Sequence, residues 1–295
     1  MVLRGLPIRE MKPSAQQIFK VAVVQTNSGA DRDANLAFAR DAIGAAAAAG
    51  AQVVCFPEHM DVIPRVVEPQ HVDTIPGMES ALLADAARNY GVWIHWGSIY
   101  EAVEGSALPA NTSAVISPDG QVLAPYRKVH LFDITLADGA LSGESSEVTA
   151  GESMQVLETP FGTWGFAICY DVRFPELFRS MALAGAQVMF VPANFTDETG
   201  NAHWETLLRA RAIENGCYVV ATGQCGQKPQ FKAHGHSMII DPWGSVITQA
   251  GGEEPEIIYA DIDLAEVERV RAKLPSLQHL RPNVYDYVIP AATDR

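Results

Sequence analysis

The chain has 295 residues, long enough to bury a substantial core, and its 48% hydrophobic and 19% charged content excludes wholesale disorder. With 21 Lys plus Arg against 35 Asp plus Glu, its formal charge of −14 repels nucleic-acid backbones and anionic lipid alike. No apolar run approaches the ~20 residues of a membrane span, and four scattered cysteines (Cys55, Cys169, Cys217, Cys225) without a C-x-x-C pair indicate a reducing, cytoplasmic compartment.

Residues 1–19 carry Arg4, Arg9 and Lys12 but no continuous apolar stretch, so they read as an N-terminal extension, with 20–295 as a single domain ending in a tail. The β-branched run from Lys20 to Gln25 predicts a strand, and Asp31 to Ala49 an Ala-rich helix closed by Gly50. Gln52 to Phe56 predicts a strand buried on both faces and stopped by Pro57, which puts Glu58 at its C-terminal tip. A helix over Ser80 to Tyr90 precedes strands at Val92 to Tyr100, Thr112 to Ile116 and Val122 to Tyr126, the last two joined by a Pro-Asp-Gly turn. Strands at Met154 to Thr159 and Gly162 to Ile168 lead to a helix over Pro175 to Leu183, a strand at Val188 to Val191 and a helix over Ala202 to Asn215. Strands at Tyr218 to Thr222, Ser237 to Asp241, Ser245 to Thr248 and Ile257 to Ile262 precede a last helix over 264–273.

The segment AGAQVVCFP at 49–57 is echoed by AGAQVMFVP at 184–192. The echo reads either as ordinary α/β punctuation or as two related helix-to-strand units, whose strand tips, Glu58 and Ala193-Asn194, then share one face.

Three segments end apolar strands in polar residues: VVCFPE with Glu58, APYRKVH with Lys128 and GFAICYD with Cys169. Cys169 lies on a strand-to-helix bend before Pro175-Glu176, where exposure and the positive helix end would lower its pKa; taken singly, a cysteine after apolar residues is more often an inert core residue. Papain-like and caspase-like motifs are absent, and His234 and His236, one residue apart with no acidic cluster beside them, make a poor metal site.

Together these segments resemble the nitrilase, or carbon–nitrogen hydrolase, superfamily, and the likeness spans about residues 20 to 290. It is carried by FPE, YRKVHLFD and ICYDVRFPELFR, while AHWETLLRARAIENGCYVVATGQCG, HGHSMIIDPWG and LPSLQHLRPNVY are similar to the branch holding deaminated glutathione amidase and ω-amidase. The resemblance implies an αββα sandwich whose subunits pair into a homodimer or larger assembly, with the tail from Pro282 to Pro290 (Tyr285, Tyr287) reaching a partner or packing on its own subunit. It implies Glu58 as general base, Lys128 as the cation stabilising an oxyanion, Cys169 as nucleophile and Glu144 as a second carboxylate, with Glu147 and Glu152 close by as alternatives.

No metal or other cofactor is required by that chemistry: the thiol attacks a small amide, a thioester forms, and water releases the acid. The backbone N–H of Tyr170 would assist Lys128, and Asn194, Phe195 and Thr196 would wall the pocket. Arg173 would bind a substrate carboxylate, or brace the bend against Asp171 or Glu176. The expected activity is hydrolysis of an ω-amide of a dicarboxylic acid, such as 2-oxoglutaramate or deaminated glutathione. Nitrile or N-carbamoyl hydrolysis would use the same triad, and a noncatalytic scaffold is the reading from a different class. His59-Met60 after the base, the acidic 137–152 loop and the N-terminal segment are departures that would reshape the pocket.

Overall fold

The computed structural model describes residues 18–135, 141–281 and 284. Most of the expected N-terminal extension (1–17), the middle of the acidic loop (136–140) and the tail beyond 281, apart from Val284, lie outside the described residues.

The first part of the chain runs β1 (Ile18–Gln25), α1 (Arg32–Ala48), β2 (Val53–Cys55), β3 (Val72–Asp73), α2 (Met78–Tyr90), β4 (Trp93–His95), β5 (Ile99–Glu101), β6 (Ala110–Ile116) and β7 (Val122–Arg127). A short ribbon, β8 (Asp133–Thr135) with β9 (Leu141–Gly143), leads into β10 (Val156–Thr159), β11 (Gly162–Phe166), α3 (Pro175–Leu183), β12 (Val188–Ala193), α4 (Asp197–Asn215) and β13 (Tyr218–Gly223). A second ribbon, β14 (Cys225–Gln227) with β15 (Lys232–His234), precedes β16 (Met238–Ile240), β17 (Val246–Gln249), β18 (Glu256–Asp263) and α5 (Leu264–Lys273).

Two mixed sheets result. One is eight-stranded, in the order β18-β1-β2-β4-β6-β5-β3 with β7 on β6; the other is six-stranded, β10-β11-β12-β13-β16-β17. The alternation of β1 explains how they stack. Phe19, Val21 and Val23 point into a core shared with Trp164, Phe166, Val188 and Phe190 of the second sheet, whereas Ala22 and Val24 pack with Leu36, Ala39 and Ile43 of α1 and Leu83 and Ala87 of α2. Rings close the inner layer: Trp93 meets Trp164 at 5.7 Å and His95 stacks on Phe190 at 5.0 Å. Helices α3 and α4 contribute Phe178, Met181, Trp204 and Leu208 to the second sheet's core. The expected αββα sandwich is the observed one.

The sequence echo has a structural counterpart. Val53 pairs with Val21 on one parallel strand pair, and its echo Val188 pairs with Trp164 on the other.

Three of the departures from the expected elements have a physical cause in the packing. β1 begins at Ile18, and Phe19 is fully buried, because the strand extends along β18 to the end of their antiparallel pairing. The predicted strand over 92–100 is two strands, broken where Gly97 (φ +76) lies so close to the Pro57 carbonyl that a Cβ would collide with it. α4 starts five residues before Ala202, at Asp197, because the Thr196 hydroxyl caps it by accepting from the Thr199 N–H, and Gly200, which reads as a breaker, admits the His234 ring.

Candidate active site

The C-terminal ends of β2 and β12 meet at the seam between the sheets. Glu58, just past β2, is 3% exposed and fully engaged: its Oε1 accepts from Lys128 Nζ at 2.9 Å and Asn111 Nδ2 at 2.8 Å, and its Oε2 accepts from the Asn194 N–H at 2.7 Å. Lys128, 2% exposed, follows β7 and is held there by its own N–H, which donates to the Asn111 carbonyl at 2.8 Å. Its ammonium also reaches Glu144 Oε2 at 2.7 Å, and Asn111 Nδ2 reaches Glu144 Oε1 at 3.1 Å. Glu58, Lys128, Glu144 and Asn111 thus close a ring. Glu144 Oε2 is steadied further by the Phe132 N–H at 2.9 Å.

Glu147 and Glu152 are exposed, so Glu144 is the carboxylate of that loop that the structure brings to Lys128. Glu58, His59 and Glu144 form a donor set that could hold a metal ion, but the chain's own ammonium already bridges its two carboxylates.

Cys169 opens the 3₁₀ turn that follows β11 and has φ +48, a strained conformation for a residue with a side chain. Asp171, fully buried, holds that turn: it accepts from the Ile168 N–H at 2.8 Å, the Tyr126 hydroxyl at 2.7 Å and the His130 N–H at 3.1 Å, while His130 Nδ1 lies 2.7 Å from it. Arg211 Nε donates to the Val172 carbonyl at 2.9 Å. One carboxylate therefore ties the Cys169 bend to the strand that delivers Lys128.

Electrostatics fixes the resting protonation. Burial raises the Glu58 carboxyl, but the charge of Lys128, followed by His59 and hydrogen bonds from Lys128 and Cys169, more than reverses this and brings it down to about 2. Burial pulls the Lys128 ammonium the other way, and Glu144 and Glu58 overcome it, holding the pKa above the ordinary lysine value. The Cys169 thiol is pushed well up by burial and by Glu58, against the charge of Lys128. This corrects the expectation of an exposed, acidified cysteine: the thiol is 8% exposed, and burial, followed by the Glu58 carboxylate, raises its pKa. At rest the site holds a neutral Cys169 thiol, an ionised Glu58 and the Lys128 ammonium. His59 is kept neutral chiefly by burial.

Arg173 pairs with neither residue expected to brace it. Its guanidinium lies 5.6 Å from the Tyr170 ring and 5.2 Å from the Phe195 ring, with Nη1 3.2 Å from His203 Nδ1. Tyr170 is half-buried between Phe132 and Phe174, and Phe195 packs on Trp204. Asn194 joins the site through its backbone, whereas the Thr196 hydroxyl is spent on capping α4. Among the described residues, His59 Nδ1, Asn111 Oδ1 and Asn194 Oδ1 are buried without a hydrogen-bond partner, leaving polar capacity unused around the reacting groups.

Sequence reading missed Asn111 and His203, and named Asp171 only as a possible partner of Arg173. Asn111 lies within the fully buried strand ANTSAVI, and a polar residue amid such burial was the available signal.

Residues 20–272 match the family model described as carbon-nitrogen hydrolase. The chain is 41% identical over 274 residues to a deaminated glutathione amidase of Synechocystis sp., covering 91% of this chain and 98% of that one. It is 36% identical to the omega-amidase NIT2 of Mus musculus, covering 90% and 96%. The crystal structure of Saccharomyces cerevisiae Nit3, a member of branch 10 of the nitrilase superfamily, superposes with a TM-score of 0.78 at 32% identity over 88% of this chain and 95% of that one.

Proposed function

The chain belongs to the carbon–nitrogen hydrolase family, and on that premise we propose that it is an amidase hydrolysing small ω-amides of dicarboxylic acids, of the 2-oxoglutaramate or deaminated-glutathione type. The observation that carries this reading is the Cys169 thiol lodged beside an ionised Glu58 and the Lys128 ammonium, all three buried.

With the thiol held up and the carboxylate held down, a free thiolate is strongly disfavoured, so proton transfer accompanies attack. The Cys169 sulfur bonds to the amide carbon as its proton passes to Glu58. The carbonyl oxygen takes the negative charge and is stabilised by the Lys128 ammonium and the Tyr170 N–H. Glu58 returns the proton to the departing nitrogen, the C–N bond breaks, and ammonia or an amine leaves a thioester on Cys169. Glu58 then takes a proton from water, the resulting hydroxide adds to the thioester carbon, the C–S bond breaks to release the acid, and Glu58 returns its proton to the departing Cys169 sulfur. Glu144 holds Lys128 in place throughout.

Arg173, beside Tyr170 and Phe195 and four residues beyond the nucleophile, is the cation for the distant substrate carboxylate. Homo-oligomeric assembly belongs to the same reading, supported by exposed Ile213, Trp243 and Leu274, where Gly244 packs on Ile213 and Lys273 on Trp243.

The test is ammonia or amine release across ω-amides, N-carbamoyl compounds and nitriles. Highest kcat/KM on ω-amides carrying a second carboxylate is expected; preference for either other class would replace the substrate assignment, and no turnover of any class would favour a scaffold.

A further inference from the structure

Lys228 is 2% exposed, and no step of the proposed mechanism uses it. Its ammonium donates to three neutral acceptors: Asn27 Oδ1 at 2.9 Å, the Ser28 carbonyl at 3.1 Å and Gln224 Oε1 at 3.1 Å. A cation buried among neutral dipoles is costly to keep, and burial alone brings its pKa down to about 8, with Cys225 the titratable group whose charge acts in the other direction.

Gln224 is the residue that uses it. Fully buried where Thr26 bridges to Gln224 between the sheets, its Oε1 also accepts from Thr26 Oγ1 and the Ser28 N–H, each at 3.0 Å. With the oxygen so committed, Nε2 must face the other way. It donates to the Glu58 carbonyl at 3.0 Å, the His59 carbonyl at 3.3 Å and Ser28 Oγ at 3.1 Å. A flipped amide would set its NH₂ against the ammonium and its oxygen against two carbonyls, so the charge of Lys228 selects one orientation and strengthens the donors opposite it. The segment gripped in this way includes His59 at φ +54, a conformation that persists only when its surroundings enforce it.

We propose that Lys228 is a positioning residue for the Glu58 base: acting through Gln224, its ammonium fixes the Glu58 and His59 carbonyls and with them the place of the Glu58 carboxylate between Cys169 and Lys128. The proposal rests on the reading of Glu58 as base and adds what aims it. Its reach is set by geometry, since a displacement of about 1 Å at a reacting group costs up to ~100-fold in rate.

Gln224→Glu is the sharpest probe. It keeps the shape and an acceptor for Lys228, Thr26 and Ser28, gives the buried ammonium a countercharge that favours folding, and abolishes donation to the two carbonyls. Lys228→Met removes the charge itself. Both are compared with wild type and Glu58→Gln on whichever amide the wild type turns over, with active sites counted by labelling of Cys169 and folding followed by Tm. The expected result is kcat about 10- to 100-fold lower for Gln224→Glu and about 10-fold lower for Lys228→Met, per labelled site, with KM within twofold. In the wild type, which needs no substitution, kcat should fall between pH 7 and pH 10 as Lys228 loses its proton, with KM flat.

A folded Gln224→Glu or Lys228→Met enzyme with kcat within twofold of wild type overturns the proposal, and so does a flat wild-type kcat over that range, which decides the matter if neither variant folds. Full activity in Glu58→Gln would instead overturn the reading of the base, so the two failures are told apart.

Discussion

The first half of the chain, β1 to β7, and the second, β11 to β17, pass through the same order: strand, helix, parallel strand, helix, parallel strand, then two antiparallel strands, setting aside β3, β5 and the β14–β15 ribbon. Each half also carries an antiparallel neighbour on its first strand, β18 on β1 and β10 on β11. What they hang on this shared frame differs. The first half supplies Glu58 and Lys128, with Glu144 on the ribbon after it, and the second supplies the thiol. The strand ends paired by the sequence echo are the ones that touch, Glu58 Oε2 accepting from the Asn194 N–H at 2.7 Å. On the proposed mechanism the base and the oxyanion-binding ammonium come from one half and the nucleophile with the Tyr170 N–H from the other, so neither half would run the reaction alone.

The largest expected effect comes from removing the second half's contribution. Cys169→Ala should lower turnover by at least ~10³-fold while leaving Tm near wild type, because it deletes one sulfur and little volume. In the wild type, iodoacetamide should modify Cys169, 8% exposed, before the fully buried Cys55, Cys217 and Cys225; equal labelling of all four by mass spectrometry would remove it as nucleophile.

Removing the first half's contributions should separate them by step. Lys128→Met keeps length and loses the charge under the oxyanion, with a kcat loss of about 10²- to 10³-fold. Glu58→Gln keeps shape and cannot accept a proton, costing about 10²- to 10⁴-fold, and rapid-quench rates should show both acylation and deacylation slowed. Unchanged rates for Glu58→Gln would exclude it as base.

A smaller and more selective effect is expected at Arg173. A charge-assisted hydrogen bond contributes about 1.5 to 3 kcal/mol, so Arg173→Met should weaken anionic ω-amides roughly 10- to 150-fold relative to neutral amides of equal length. Equal losses on a matched pair, with a lowered Tm, would make it a brace.

The smallest effect concerns stability and belongs to the first half alone. Arg32 lies 3.2 Å from Asp61 and 3.1 Å from Glu79, both fully buried. Burial pushes Asp61 up to about 7, and burial followed by a hydrogen bond with Asp73 pushes Glu79 up to about 9. Above about pH 4 the unfolded chain ionises these acids while the folded one still holds their protons, so stability should fall as pH rises from 5 to 9. Glu79→Gln should flatten that decline, and hydrogen exchange should show α1 and α2 opening before α3 and α4 at the alkaline end. An unchanged slope would place the pH sensitivity elsewhere.

Much of this was legible in the sequence for a simple reason. Glu58, Lys128 and Cys169 each interrupt an apolar strand at its end, where a polar residue is conspicuous, and the two copies of AGAQV mark the strands whose tips, Glu58 and Asn194, meet. The supporting residues left no such mark. Asp171 is one charge among several around the bend, Gln224 and Lys228 lie in a glycine-containing stretch between two expected strands, and Asn111 acts across 53 residues on Glu58 and 33 on Glu144. The break in the predicted 92–100 strand was hidden likewise, since what requires Gly97 is the distant Pro57 carbonyl.

The protonated state of Cys169 has a consequence for how this protein endures oxidants. Peroxide attacks thiolates, and here burial and Glu58 hold the sulfur as a thiol, so the first oxidation to sulfenic acid is slow. On the proposed mechanism, a substrate that brings its carbonyl oxygen to Lys128 lets the proton pass to Glu58. The thiol would then be armed by its own substrate and chemically quiet between turnovers.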